Sequence, residues 1–180
     1  MKTKYFFALF LFCFIIIANS QIKKTFYKND TIKFIGNYIH HKKDGIFKFY
    51  TNKGKLAMIQ TFKNDIENGE IIIYNETNHI ISKGNYLDGK EIGEWTDYWS
   101  NNEIQTIRTY FNGKLNGTYK TYFSNGKLDQ NGNYKDNKKD GEWKTYYYNG
   151  KLRSIEKYKE DEKVGKTILY DEEGNILKSY

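Results

Sequence analysis

Few residues of this 180-residue chain are of types that do covalent chemistry, and their spacing argues against it. The histidines are His40, His41 and His79. His40 and His41 are neighbours in a turn, where adjacent side chains point apart, so no helix-spaced pair exists to hold a metal. The single cysteine, Cys13, sits in an apolar run near the start of the chain. There is no Gly-x-Ser-x-Gly elbow and no Gly-rich phosphate loop leading into a helix. Glu70, Glu94 and Glu142 each follow a glycine at a fixed interval. Such recurrence marks structural use, since an acid pair working on a substrate needs one place where the pattern breaks. The expectation is a non-enzymatic protein without catalytic residues, metal or cofactor.

Binding chemistry is better represented. Two and six positions after a recurring glycine stand Trp95 and Trp99, Tyr119 and Phe123, Trp143 and Tyr147, and every tryptophan of the chain is in this set. The two positions share a parity along a strand. They read as an aromatic ladder for stacking a glycan or gripping a protein. The same ladder serves equally well as packing, through curvature of a sheet or in a homodimer. Lysines recur at two sets of turns, Lys55, Lys127 and Lys151 in one, Lys42, Lys90, Lys114 and Lys138 in the other. A polyanion or anionic lipid headgroups can use such a rail. Asp44, Asp88, Asp136 and Asp140 dilute it, and a solvated margin is the alternative.

The elements that must position these residues follow from a period. Gly45, Gly69, Gly93, Gly117, Gly141 and Gly165 are spaced by 24 residues. Five positions after each comes a tyrosine: Tyr50, Tyr74, Tyr98, Tyr122, Tyr146 and Tyr170. Leucine or isoleucine recurs at Leu56 through Ile176, and an aromatic at Tyr38, Phe62, Tyr86, Tyr110, Tyr134 and Tyr158. The repeats are 21–44, 45–68, 69–92, 93–116, 117–140 and 141–164, with a partial unit at 165–180. Each unit is two β-prone runs around an Asn-Gly corner, a hairpin signature with no helical periodicity. For Tyr146 to lie beside Leu152 the loop needs an odd number of residues, which predicts a type I turn followed by a left-handed residue. That column reads Asp30, Gly54, Asn78, Asn102, Gly126, Gly150 and Gly174. One hairpin cannot bury its own aromatic face, so the units stack into an all-β, elongated, right-twisted antiparallel meander of about thirteen strands. The absence of proline fits a ladder that uses nearly every backbone donor. A doubled period overlies the first: Gly36, Gly84 and Gly132 alternate with Gln60, Arg108 and Glu156. This predicts that a long side chain from one hairpin covers the slot left by its neighbour's glycine. The outer strands, Gln21 to Lys28 and Asn175 to Tyr180, are open to strand addition, with Lys23, Lys24 and Asp171, Glu172, Glu173 as protection.

Residues 1–20 read as a signal peptide. Lys2 and Lys4 precede an apolar run from Tyr5 to Ile17, and Ala18-Asn19-Ser20 supplies the small residues of a cleavage site after Ser20. The run is shorter than the roughly 20 residues a spanning helix needs. Export to the periplasm, the cell surface or the medium is expected. The exported chain keeps no cysteine and carries 27 Lys and Arg against 22 Asp and Glu. That balance of +5 is too diffuse to argue for nucleic acid.

Gly141 to Leu152, of the form Gly-Glu-Trp-x-x-Tyr-x-x-Asn-Gly-Lys-Leu, and Gly117 to Leu128, of the form Gly-x-Tyr-x-x-Tyr-x-x-Asn-Gly-Lys-Leu, resemble the MORN repeat variant of bacterial proteins, many labelled YwqK-family antitoxins. The resemblance spans residues 21–180. It implies a β-hairpin repeat fold used for binding or scaffolding, with no catalytic residues to carry over, and links to membranes, lipids and protein contacts. The function expected is therefore binding of a protein or envelope partner through the aromatic face. A carbohydrate- or cell-wall-binding module is the alternative, similar to choline- and glucan-binding repeats, whose period is shorter. An antitoxin- or immunity-like inhibitor is a further one, although an export signal places the chain away from a cytoplasmic toxin.

Overall fold

A computed structural model describes residues 20–179. The segment read as an export signal lies outside the described residues, except Ser20, which begins the first strand. The strands are β1 (Ser20–Phe26), β2 (Ile32–Ile39), β3 (Lys42–Tyr50), β4 (Leu56–Lys63), β5 (Ile66–Tyr74), β6 (Ile80–Leu87), β7 (Lys90–Tyr98), β8 (Ile104–Phe111), β9 (Lys114–Tyr122), β10 (Leu128–Lys135), β11 (Lys138–Lys139), β12 (Gly141–Tyr146), β13 (Leu152–Lys159), β14 (Glu162–Lys163), β15 (Ile168–Tyr170) and β16 (Ile176–Ser179). They form one antiparallel sheet in chain order, with β11 and β14 as short side pieces on β10 and β13. Among the described residues there is no helix. The partial unit 165–180 closes a hairpin of its own, β15 on β16, so the path has fourteen strands rather than thirteen.

Two kinds of turn alternate. Within each hairpin the expected three-residue loop is present: Tyr147 N–H donates to the Lys151 carbonyl at 2.8 Å, and Gly150 N–H to the Tyr147 carbonyl at 2.8 Å. Gly150 takes φ 90°, and the rest of its column is left-handed as well, down to Asn78 and Asn102 at 66°. Between hairpins the loops have two residues, both at positive φ, as at Asn64 (52°) and Asp65 (72°). These are type I′ turns, whose twist matches that of the flanking strands. His40 and His41 are such a pair, at 49° and 66°, on one margin of the sheet.

Each repeat also carries two irregularities. At the repeat glycine three residues face one: Gly36 pairs with Phe47 but Tyr38 with Lys43, so Asp44, Gly45 and Ile46 stand opposite Asn37. The second lies just after the hairpin turn, where Tyr146 pairs with Leu152 but Thr145 with Ser154, leaving Arg153 extra. A bulge of one residue reverses the alternation beyond it. Counting from Leu152 would put Glu156 and Tyr158 on the face of Tyr146, whereas the bulge turns them to the face of Trp143. The sheet therefore has a ring face, bearing Phe47, Trp95 and Trp143 together with Tyr38 through Tyr158, and a tyrosine face bearing Tyr50 through Tyr170. The side chains that reach full burial belong to the ring face: Phe47, Phe62, Ile71, Trp95 and Trp143.

Candidate functional site

On the ring face one arrangement recurs every 48 residues. Phe47, Trp95 and Trp143 lie flat on Gly36, Gly84 and Gly132 of the preceding strand. A Cβ on those glycines would fall 2.1 Å from Phe47 Cδ1, 2.1 Å from Trp95 Cδ2 and 2.3 Å from Trp143 Cδ2. The slot expected from the doubled period exists, and it is the ring two residues after the next repeat glycine that fills it. Aromatics stand edge-on at both sides of each ring. Tyr38 and Phe62 flank Phe47 at 5.4 and 5.2 Å, Tyr86 and Tyr110 flank Trp95 at 5.3 and 5.9 Å, and Tyr134 and Tyr158 flank Trp143 at 5.1 and 6.3 Å. Burial raises the hydroxyl pKa of Tyr86, Tyr110 and Tyr134, with smaller contributions from nearby groups, Glu91 and Glu67 in the case of Tyr86.

On the far side of each ring the cross-strand partner is polar: Gln60 opposite Phe47, Arg108 opposite Trp95, Glu156 opposite Trp143. These side chains are satisfied inside the sheet. Arg108 grips both oxygens of Asp97 at 2.9 and 2.8 Å, and Ser82 Oγ donates to the same carboxylate at 2.7 Å. Glu156 accepts from the Tyr158 hydroxyl and from Lys163 Nζ. Burial pushes the Glu156 carboxyl up, but these two hydrogen bonds outweigh it and hold the group below its ordinary range. Tyr158 moves up, first through its bond to Glu156 and then through burial.

The six aromatics expected to form one ladder divide into two rows. Trp95 and Trp143 retain only 6% and 1% of their surface, so neither ring presents a free stacking face. Tyr119, between them, is half-buried and leans on Trp143 at 5.7 Å. Trp99, Phe123 and Tyr147 are not in strands at all, because each strand ends one residue earlier, at Tyr98, Tyr122 and Tyr146. They open the hairpin turns along one margin. There Trp99 Nε1 donates to the Tyr122 carbonyl at 3.0 Å and the Tyr147 hydroxyl to the Tyr170 carbonyl at 2.7 Å, each reaching one hairpin onward. Tyr27 does the same to Tyr50 at 2.9 Å. Phe123 instead packs on Tyr148 at 5.2 Å, and Tyr148 is 58% exposed.

The Asn-Gly-Lys corners turn out to be a seam. Asn29, Asn101 and Asn125 each donate to a carbonyl in the next hairpin turn, at 2.9, 2.9 and 3.2 Å, while their own Oδ1 atoms accept from their own turn. Lys127 and Lys151 send Nζ to the carbonyls of Asn149 and Glu173 at 2.8 and 3.3 Å, and Lys55 reaches that of Glu76. Half of the lysine rail is thus engaged with backbone carbonyls. On the other margin Lys114 and Lys138 pair with Asp136 and Glu160 at 3.3 and 3.7 Å. Every donor of the hairpin-turn seam points toward the carboxyl end. At 171–175 the direction stops, because Asp171 accepts from its own turn, from Gly174 and Asn175 N–H at 2.7 Å each.

The structural columns behave uniformly. Gly45, Gly69, Gly93, Gly117, Gly141 and Gly165 all take positive φ, between 65° and 117°. Tyr50, Tyr74, Tyr98, Tyr122, Tyr146 and Tyr170 are half-buried on the opposite face. The family model of the MORN repeat variant matches residues 43–64, 115–136 and 139–160. No curated protein matches the chain.

Proposed function

We propose that this array of MORN repeat variants is a non-catalytic, exported protein that binds or scaffolds a protein or cell-envelope partner, along the hairpin-turn margin of its third to fifth repeats. The observation that supports this reading is that the turn does not require the aromatics placed there. Thr51, Asn75 and Asp171 open the same turn by accepting from its backbone N–H groups. The position of Tyr148 is held elsewhere by Lys28, Asn52, Glu76, Ser100, Ser124 and Glu172. Trp99, Phe123, Tyr147 and Tyr148 therefore add rings where the fold asks for none, in consecutive hairpins. Aromatic side chains at a surface supply large contact area with few rotatable bonds, which is the usual chemistry of a protein-binding anchor.

Removing residues 93–140 tests the reading. The cut takes out two hairpins, with Trp99 and Phe123, and sets Gly84 beside Trp143, so a glycine still faces a ring. Crosslinked pull-down from host envelope fractions is expected to recover a partner with the full chain and to lose it with the shortened one. Undiminished capture by the shortened array sinks the proposal. A saturable change of tryptophan fluorescence with cell-wall glycans, lost on the same deletion, replaces it with a carbohydrate module.

A further inference from the structure

The three ring slots are built alike except for their roofs. Two residues before the repeat glycine, on the same face, stand Lys43, Glu91 and Lys139. Lys43 Nζ lies over Phe47 at 5.6 Å and over Phe62 at 4.6 Å. Lys139 Nζ lies over Trp143 at 4.2 Å and over Tyr158 at 5.0 Å. The middle slot has no such cation. Glu91 leans toward the margin instead, its Oε2 3.7 Å from where a Cβ on Gly113 would be. Arg108, the other cation at hand, turns to Asp97 and is neutralised there. Trp95 is accordingly the most accessible of the three rings, at 6% against 0% and 1%.

Two further differences set the middle slot apart. Trp95 Nε1 is buried without a hydrogen-bond partner, whereas Trp143 Nε1 donates to the Asn133 carbonyl at 3.2 Å. Around Tyr86, Glu67 and Glu91 stand on either side, on β5 and β7, and neither joins an ion pair among the described residues. The corresponding stretch of the third slot, Lys139 to Lys163, is basic. The charged groups facing the middle slot are thus Glu67, Glu91 and the internally paired Arg108 and Asp97. An electron-rich ring framed by two more and bordered by unpaired carboxylates attracts an ammonium group.

We infer that the slot formed by Trp95, Tyr86 and Tyr110, with Glu67 and Glu91 at its rim, receives a lysine side chain from a partner protein, which takes the place that Lys43 and Lys139 occupy in the sister slots. The site lies on the ring face and is separate from the turn margin proposed above, so either proposal can fail alone.

The test reads the three indole N–H signals of the 15N-labelled protein, assigned by Trp→Phe variants, during titration with Nα-acetyl-lysine amide. The Trp95 signal is expected to shift saturably, with the Trp143 signal unmoved because Lys139 already fills that slot. Glu91→Lys places the sister slots' own residue in the middle one, a change the fold accepts twice elsewhere, and is expected to weaken the ligand at Trp95 by at least about tenfold. Lys139→Ala is expected to make Trp143 respond as well. The inference is overturned by no saturable Trp95 shift, by equal shifts in the wild type and Glu91→Lys, by equal Trp95 and Trp143 shifts in the wild type, or by an equal response to uncharged Nα-acetyl-norleucine amide.

Discussion

The ring face of residues 32–74 and that of residues 80–158 share one backbone plan and differ in a single row. Beside the slots the first region carries Phe34, Phe49, Met58 and Ile73, and its rings meet one another: Phe49 lies 5.9 Å from Phe34 and 6.4 Å from Phe62. The second region places Ser82, Asp97, Thr106, Thr121, Gln130, Thr145 and Ser154 in the same row. There cross-strand bonds replace ring contacts, with Thr121 Oγ1 donating to Asp129 at 3.0 Å and Thr145 and Ser154 hydroxyls 2.7 Å apart. Glycine-and-ring slots suffice to hold both versions. A single sheet with no second layer can thus be sealed by apolar burial at one end and by a polar lattice along the rest, provided each polar group finds its partner across the strand.

The comparison can be broken at three points. Phe47 is fully buried in the apolar region. Phe47→Ala is expected to cost about 3–4 kcal/mol, read as a drop in the urea midpoint that salt does not change. In the polar region Asp97→Ala strands Arg108 and Ser82, and its expected cost is about 1–2 kcal/mol. Because Arg108 and Asp97 are part-exposed, at 29% and 18%, that cost should shrink in high salt, the opposite of the Phe47 result. The smallest effect concerns pH. The folded state holds Glu156 below its ordinary pKa, so its contribution is present above the unfolded carboxylate range and is lost as pH falls through the folded value. Stability curves of the wild type and Glu156→Gln should converge by less than about 1 kcal/mol on acidification below the ordinary carboxylate range, solvent screening keeping the effect small. Parallel curves would show that the Tyr158 and Lys163 bonds do not favour the charged form.

Most of the backbone plan was legible because it is written in residue types with steric meaning. The columns of glycine, asparagine and aspartate mark positive φ, and the parity of Tyr146 against Leu152 fixes the three-residue turn. The bulge at Arg153 and its equivalents was not legible. Lys33, Ala57, Ile81, Gln105, Asp129, Arg153 and Leu177 share no type, because an extra residue near right-handed conformation asks for none. The missed bulge is why Tyr158 was not placed beside Trp143. Trp99, Phe123 and Tyr147 were assigned to the ladder on parity alone, which holds only while the strand continues, and it ends one residue before them. The lysines at the corners were visible as a series, but only side-chain direction distinguishes a charge offered to solvent from one spent on the next turn's carbonyl.

The slot geometry also governs how such a chain can change length over generations. Losing or gaining one hairpin would bring Gln60, Arg108 or Glu156 against a ring that tolerates only glycine, where even a single carbon falls about 2 Å from the ring. Two hairpins together restore the match. The smallest heritable step that leaves the slots matched is therefore 48 residues, twice the period that the turns display.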